Sequence, residues 1–153
     1  MDVRKIGGVL LIILIILIIG YIIYDFSKNT TYEELVTNLI AENETVEQIS
    51  FYSDVPYMTN TVHTEIHDQD LIREIMTTDM KMKRISPYDF PAITSTMVIQ
   101  TDRQDYKVGF DANSIMIGSD RYMVTDDYLN AIERVLIRED LEWEIIEYTP
   151  FAW

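Results

Sequence analysis

The sequence contains no cysteine, and this absence excludes several kinds of structure and chemistry. Disulfide bonds, thiolate metal sites and cysteine nucleophiles are ruled out. A bacterial lipid anchor is ruled out as well, because it requires a cysteine just after an apolar segment. An exported domain of this kind must fold on its apolar core alone, which is more typical of bacterial extracytoplasmic proteins than of animal secreted modules.

Glycine is scarce: beyond residue 28 the chain has only Gly109 and Gly118. Phosphate-binding loops need glycine-rich turns, so nucleotide binding is not expected. The Gly-x-Ser-x-Gly elbow of many hydrolases is also missing. The sequence therefore predicts no catalytic residue, no cofactor and no enzymatic activity. A hydrolase whose triad assembles in space from distant residues stays open as a third class of function.

Basic residues are few, with 12 lysines and arginines against 26 acids and a net charge of −14. Without the first 28 residues the chain has 24 acids and 9 bases, for a net charge of −15. Such a domain should repel nucleic acid and anionic lipid headgroups, and it should attract cations or basic partners. A plainer interpretation is that the acidity serves solubility. We expect no nucleic-acid partner.

The longest apolar segment runs from Ile6 to Tyr24 without a charged residue. As a helix it spans about 28 Å, close to the ~30 Å hydrocarbon core of a bilayer. A cleaved signal peptide would have a shorter apolar run and a small-x-small cleavage site, which is absent here. A pilin-type helix would carry a glutamate near its start, and none is present. The segment is thus predicted to be an uncleaved transmembrane signal-anchor helix.

The charges on either side of this segment indicate an orientation. Arg4 and Lys5 precede it and Asp25 follows it, so the N-terminus is expected inside the cell and the rest outside. We therefore expect a single-pass plasma-membrane protein that contacts the lipid bilayer through its N-terminal helix. The predicted organisation is a cytoplasmic N-terminus over 1–5, a transmembrane helix over 6–24, a linker over 25–31 and an extracytoplasmic domain over 32–153.

Hydrophobic periodicity predicts the elements of the domain. Thr31-x-x-Glu34 is a capping box before a helix near 32–42, and Asp68 is an N-cap for a second helix. Asp126 and Asp127 precede the apolar stripe of a third helix. Strands are predicted near 45–53, 61–67, 80–85, 93–101, 105–111, 114–118, 121–124 and 143–148. The expected fold class is α+β: one N-terminal transmembrane helix followed by a small antiparallel sheet with about three helices packed on it.

The order of apolar segments carries a family resemblance. It rests on Val46–Phe51, Ile66–Ile72, Tyr106–Phe110, Ile115–Gly118 and Tyr122–Val124. Over roughly residues 45–138 this succession resembles small single-pass or secreted extracytoplasmic domains of Gram-positive bacteria, many of them of unknown function. The resemblance implies the topology and a bacterial origin, and it implies no activity.

The chain's two histidines stand in the pattern His63-x-Glu65-x-His67. On a strand, residues two apart share a face, so all three side chains should project together. Imidazole and carboxylate groups suit zinc, nickel or copper, which makes this a candidate metal site. The alternative is a solvated strand face that happens to hold two histidines.

The C-terminal stretch is rich in aromatic residues, with Trp143, Phe151 and Trp153. The tail is expected to fold back onto the sheet, because exposed aromatic side chains are costly. The alternatives are that it docks on a partner, since such side chains recur at protein interfaces, or that it dips into the membrane interface. The sequence thus favours a membrane-tethered, non-catalytic extracytoplasmic binding module that meets a protein partner at the cell surface. The alternative is a metal-binding or metal-sensing surface protein that uses His63, Glu65 and His67.

Overall fold

The protein is described here by a computed structural model, which covers residues 3–54, 61–86, 93–111, 113–125, 132, 136 and 141–146, with the side chains of the first helix described from residue 10 onward. Within these residues the helices are α1 (Val3–Phe26), α2 (Tyr32–Leu39) and α3 (Gln69–Met76). The strands are β1 (Asn29–Thr31), β2 (Val46–Asp54), β3 (Thr61–Ile66), β4 (Lys81–Ile85), β5 (Ser95–Thr101), β6 (Asp105–Phe110), β7 (Ser114–Ile117), β8 (Asp120–Val124) and β9 (Glu144–Ile146).

All nine strands join one sheet in the order β1-β4-β8-β7-β6-β5-β2-β3-β9. Every neighbouring pair is antiparallel. The strands from β5 to β8 are sequential neighbours, which confirms the predicted meander. Its turns lie at polar and glycine residues, including Gly118, whose φ of 58° is readily adopted by glycine. The β2–β3 hairpin extends the sheet on one side of the meander, and β4 and β1 extend it on the other.

The two predicted helix caps are confirmed. The Thr31 hydroxyl accepts a hydrogen bond from the Glu34 amide at 3.2 Å and starts α2. The Asp68 carboxylate accepts two amide hydrogen bonds from the first turn of α3, both at 2.9 Å. Helix α2 ends at Leu39, earlier than expected, because Ile40 turns to an extended backbone and packs against the core.

One face of the sheet forms the core with α2 and α3. From the sheet it presents Ile49, Phe51, Ile66, Met97, Ile99 and Val108. The helices contribute Tyr32 and Val36 from α2 and Leu71, Ile72 and Ile75 from α3. The Tyr32 hydroxyl lies 4.0 Å from the Met97 sulfur, so α2 lies over β5. Because side chains alternate along a strand, the neighbours of these residues face away from the helices.

The expected fold class is wrong in its first element. Among the residues that the structure describes, no helix is both long enough and apolar enough to cross a membrane. The transmembrane helix expected from Ile6 to Tyr24 is corrected accordingly. The continuous described segments form three helices and a nine-stranded antiparallel sheet.

Two further expectations differ from the structure or lie beyond it. The stretch 25–31, expected to be a linker, includes the end of α1 and the strand β1, which pairs with β4. From the third predicted helix, Ile132 and Leu136 are buried in the core, and the rest of that helix lies outside the described residues. The aromatic tail beyond residue 146 also lies outside them.

Candidate functional site

The two histidines and Glu65 lie together at one end of the sheet, as their spacing predicts. His63 and Glu65 are on β3, and His67 follows the strand directly. Their strand neighbours Thr64 and Ile66 are buried, with Ile66 in the core. The alternation therefore places His63 and Glu65 on the face that the helices leave uncovered.

The three side chains form a carboxylate bridge between two imidazoles. The His63 Nε2 atom lies 3.7 Å from Glu65 Oε1, and the His67 Nε2 atom lies 3.6 Å from Glu65 Oε2. Each ring thus faces a different oxygen of the same carboxylate. Both distances exceed a hydrogen bond, so the contact is electrostatic and gains strength when either ring is protonated.

His63 is the enclosed member of this group. Its side chain is 14% exposed, against 65% for His67 and 50% for Glu65. Its ring stacks on Tyr52 of β2, with centroids 4.5 Å apart and an interplanar angle of 24°. Among the described residues its Nε2 atom has no hydrogen-bond partner, although it is shielded from solvent. A buried polar atom without a partner is costly, so a ligand that hydrogen-bonds to this nitrogen would be stabilised.

The group borders a pocket of about 270 Å³. Besides the three predicted residues, Glu142 and Glu144 line it. Glu144 lies on β9 and pairs with His63 across the strands, so its carboxylate adds to the negative charge at the pocket. The site combines three carboxylates with two imidazoles and is suited to a cationic group rather than an anion.

The arrangement differs from a metal centre. In the described part of the chain, no group of three or more histidine, aspartate or glutamate side chains is placed to hold a metal ion. A metal needs its ligand atoms around one common point, whereas here the carboxylate lies between the rings.

Three participants are not indicated by the sequence. Tyr52 supplies the stacking surface for His63, and Glu142 and Glu144 supply carboxylates from a distant part of the chain. Tyr52 pairs with His63 in the β2–β3 hairpin and lies on the same face of the sheet. The stacking of Tyr52 on His63 could therefore have been predicted from the pairing of these two strands. The pairing of β3 with β9 has no local sequence signal, so Glu144 was not predictable.

Comparison with protein-family models, with curated proteins and with solved structures finds no match to this chain. The resemblance to extracytoplasmic domains of Gram-positive bacteria therefore stays a prediction. The site has to be interpreted from its own geometry.

Proposed function

We propose that this chain is a non-catalytic binding module held at the outer face of the plasma membrane of a bacterium. The apolar surface of α1 contacts the lipid bilayer, and the antiparallel sheet presents a binding surface to a protein partner. The two parts of the molecule have different roles because their surfaces have opposite character. The surface of α1 is apolar, whereas the domain is acidic.

The observation that carries the proposal is the exposure of α1. Every large apolar side chain from Leu10 to Phe26 is exposed, from 46% at Ile15 to 75% at Phe26. An amphipathic helix that packed on its own domain would bury one stripe and expose the other. Uniform exposure of aliphatic side chains is unfavourable in water and favourable in lipid.

Vesicle flotation tests the bilayer contact. The full chain, added from detergent to neutral phosphatidylcholine vesicles, should float with them. Replacing Leu14 and Ile18 by aspartate should reduce the bound fraction about 100-fold, since each loses the transfer of one large apolar side chain. A control with Asn113→Asp and Ser119→Asp adds the same charge at exposed positions of the domain and should float like the wild type. A wild-type chain that stays with the aqueous phase would refute the contact.

The location is tested in intact cells. If the domain lies outside, a protease added to the medium should digest it without lysis. Protection of the domain until the cells are broken would contradict the proposed location.

The edge strand β9 is the surface we assign to the protein partner. In the described part of the sheet no strand pairs beyond it. Ile145 is 70% exposed, and Trp143 is 41% exposed and packs edge-on against Phe51. They alternate along the chain with Glu142 and Glu144, which line the acidic pocket. An open strand edge with apolar side chains is a common docking surface for a peptide strand. A photo-crosslinking residue at position 145 should give a discrete adduct on cells, and one at the exposed position 107 should not.

The geometry does not favour the metal-binding alternative. The carboxylate of Glu65 separates the two imidazoles instead of joining them at a common point. We expect no stoichiometric zinc binding in an equilibrium titration. Stoichiometric binding that disappears in both His63→Gln and His67→Gln would instead support the metal-binding function.

A further inference from the structure

Five of the twelve basic residues of this acidic chain lie where α1 meets the sheet. Lys81, Lys83 and Arg84 lie on β4, Arg121 lies opposite on β8, and Lys28 immediately precedes β1. These three strands are neighbours at one edge of the sheet. The net charge of −14 for the whole chain therefore does not describe this edge, where several cations lie close together.

Two of these cations border a pocket of about 360 Å³ between α1 and β4. It is lined by Tyr24, Ser27, Lys28, Arg84, Ile85 and Ser86. The Arg84 amide donates to the Lys28 carbonyl oxygen at 2.9 Å, which holds the two segments side by side. The Lys28 ammonium lies 4.3 Å from the centroid of the Tyr24 ring, in a cation–π contact at the pocket wall. The residues that line the pocket thus carry an ammonium, a guanidinium and three hydroxyl groups.

Two carboxylates near the pocket are engaged by cations. Asp25 accepts a hydrogen bond from the Lys83 ammonium at 2.8 Å. Asp120 accepts a hydrogen bond from Arg84 Nη2. A guanidinium has five N–H donors, so this bond to Asp120 does not exhaust Arg84. An anion entering the pocket meets paired rather than isolated carboxylates.

We propose that this pocket binds the phosphate of an anionic lipid headgroup. The inference rests on the proposed function, because it requires α1 to contact the bilayer. The position argues for a lipid source: Tyr24 belongs to the exposed apolar helix and also lines the pocket. Aromatic rings favour the headgroup level of a bilayer, where lipid phosphates lie. Arginine, lysine and hydroxyl groups are common partners of phosphate.

Competition between two vesicle populations of different density tests this pocket. One population is neutral phosphatidylcholine, and the other also contains phosphatidylglycerol. Net charge alone predicts that the full chain avoids the anionic vesicles. The proposal predicts the opposite preference, which Lys28→Gln with Arg84→Gln should reduce about fivefold for each cation removed. A control with Arg103→Gln and Lys107→Gln removes two exposed bases from the distant β5–β6 hairpin. This control should keep the preference for anionic vesicles.

The outcomes separate this proposal from the previous one. Binding to neutral vesicles without any preference for anionic ones overturns the pocket and leaves the bilayer contact intact. Equal loss of preference in the pocket variant and the control overturns it as well, because the effect would then be general charge. Replacing chloride by inorganic phosphate at constant ionic strength should leave the preference in place. Its disappearance would assign the pocket to free phosphate and overturn the lipid assignment.

Discussion

Removal of the Asp68 carboxylate should destabilise the domain by an amount that the cap geometry sets. One carboxylate oxygen accepts both amide hydrogen bonds at the start of α3. Asp68 is exposed, so water replaces part of what Asp68→Ala removes. We therefore expect a loss of about 1 kcal/mol, near the middle of the range for N-caps, rather than the cost of two buried bonds. For a domain of this size the melting temperature should fall by about 4 °C.

Thermal unfolding of the full chain in a mild detergent measures this change. Asp79→Ala is the matched control, since it removes an exposed acid just beyond α3. Asp68→Asn keeps the acceptor and loses the charge, so it should retain most of the stability. If Asp68→Ala melts with the Asp79 control, the cap contributes nothing. If Asp68→Asn falls as far as Asp68→Ala, the helix dipole and not the hydrogen bonds is responsible.

Three other changes test other parts of the fold. Tyr32→Phe should change the free energy of unfolding in urea by no more than about 0.5 kcal/mol, because the described partner of the hydroxyl is a weakly accepting methionine sulfur. Tyr32→Ala should lower it by about 3–5 kcal/mol, because the buried ring is lost. Burial raises the pKa of Tyr32, so the stability that its neutral side chain contributes is complete below pH ~10 and is lost as the pH rises further. Above pH ~10 the urea midpoint should therefore fall less steeply in Tyr32→Phe than in the wild type. Asp111→Ala should cost about 2 kcal/mol in the same assay, because this buried carboxylate accepts three hydrogen bonds within its own turn. The hydrogen bond from Lys83 lowers the pKa of Asp25, so their contact persists above pH ~4 and weakens as the pH falls. The protection of the β1 amides relative to the intrinsic exchange rate at each pH should therefore decrease at acidic pH in the wild type and be already low in Lys83→Gln.

Local signals predicted most elements of the domain. The segments from 93 to 124 alternate in hydropathy and are separated by turn residues, and these features depend only on near neighbours. The caps at Thr31 and Asp68 were predictable for the same reason. Strand order was not, because β4 pairs with β8 and β3 with β9 across long stretches of chain. Such pairings depend on how the core closes, and a single sequence carries little of that information.

Local sequence signals likewise predicted one part of the candidate site and not the rest. The common face of His63 and Glu65 follows from their spacing on one strand. Which oxygen each imidazole meets depends on side-chain rotamers, and the enclosure of His63 depends on Tyr52 from the neighbouring strand. The predicted metal site required a common point for three ligands. Spacing alone does not specify that point, so the same residues are compatible with a carboxylate bridge.

The distribution of charge along the sheet explains how one acidic domain has two different surfaces. The basic pocket lies at the β4 edge, and the imidazole–carboxylate group lies on β3, six strands further along the sheet order. At ~4.8 Å per strand step the two are about 29 Å apart along the sheet, several Debye lengths at physiological salt. The basic pocket and the imidazole–carboxylate group therefore act independently on their own surroundings. The net charge of the chain does not predict the local charge at either of them. In the proposed arrangement the basic pocket beside α1 binds anionic lipid, and the acidic group on β3 is far enough away to attract a basic partner independently.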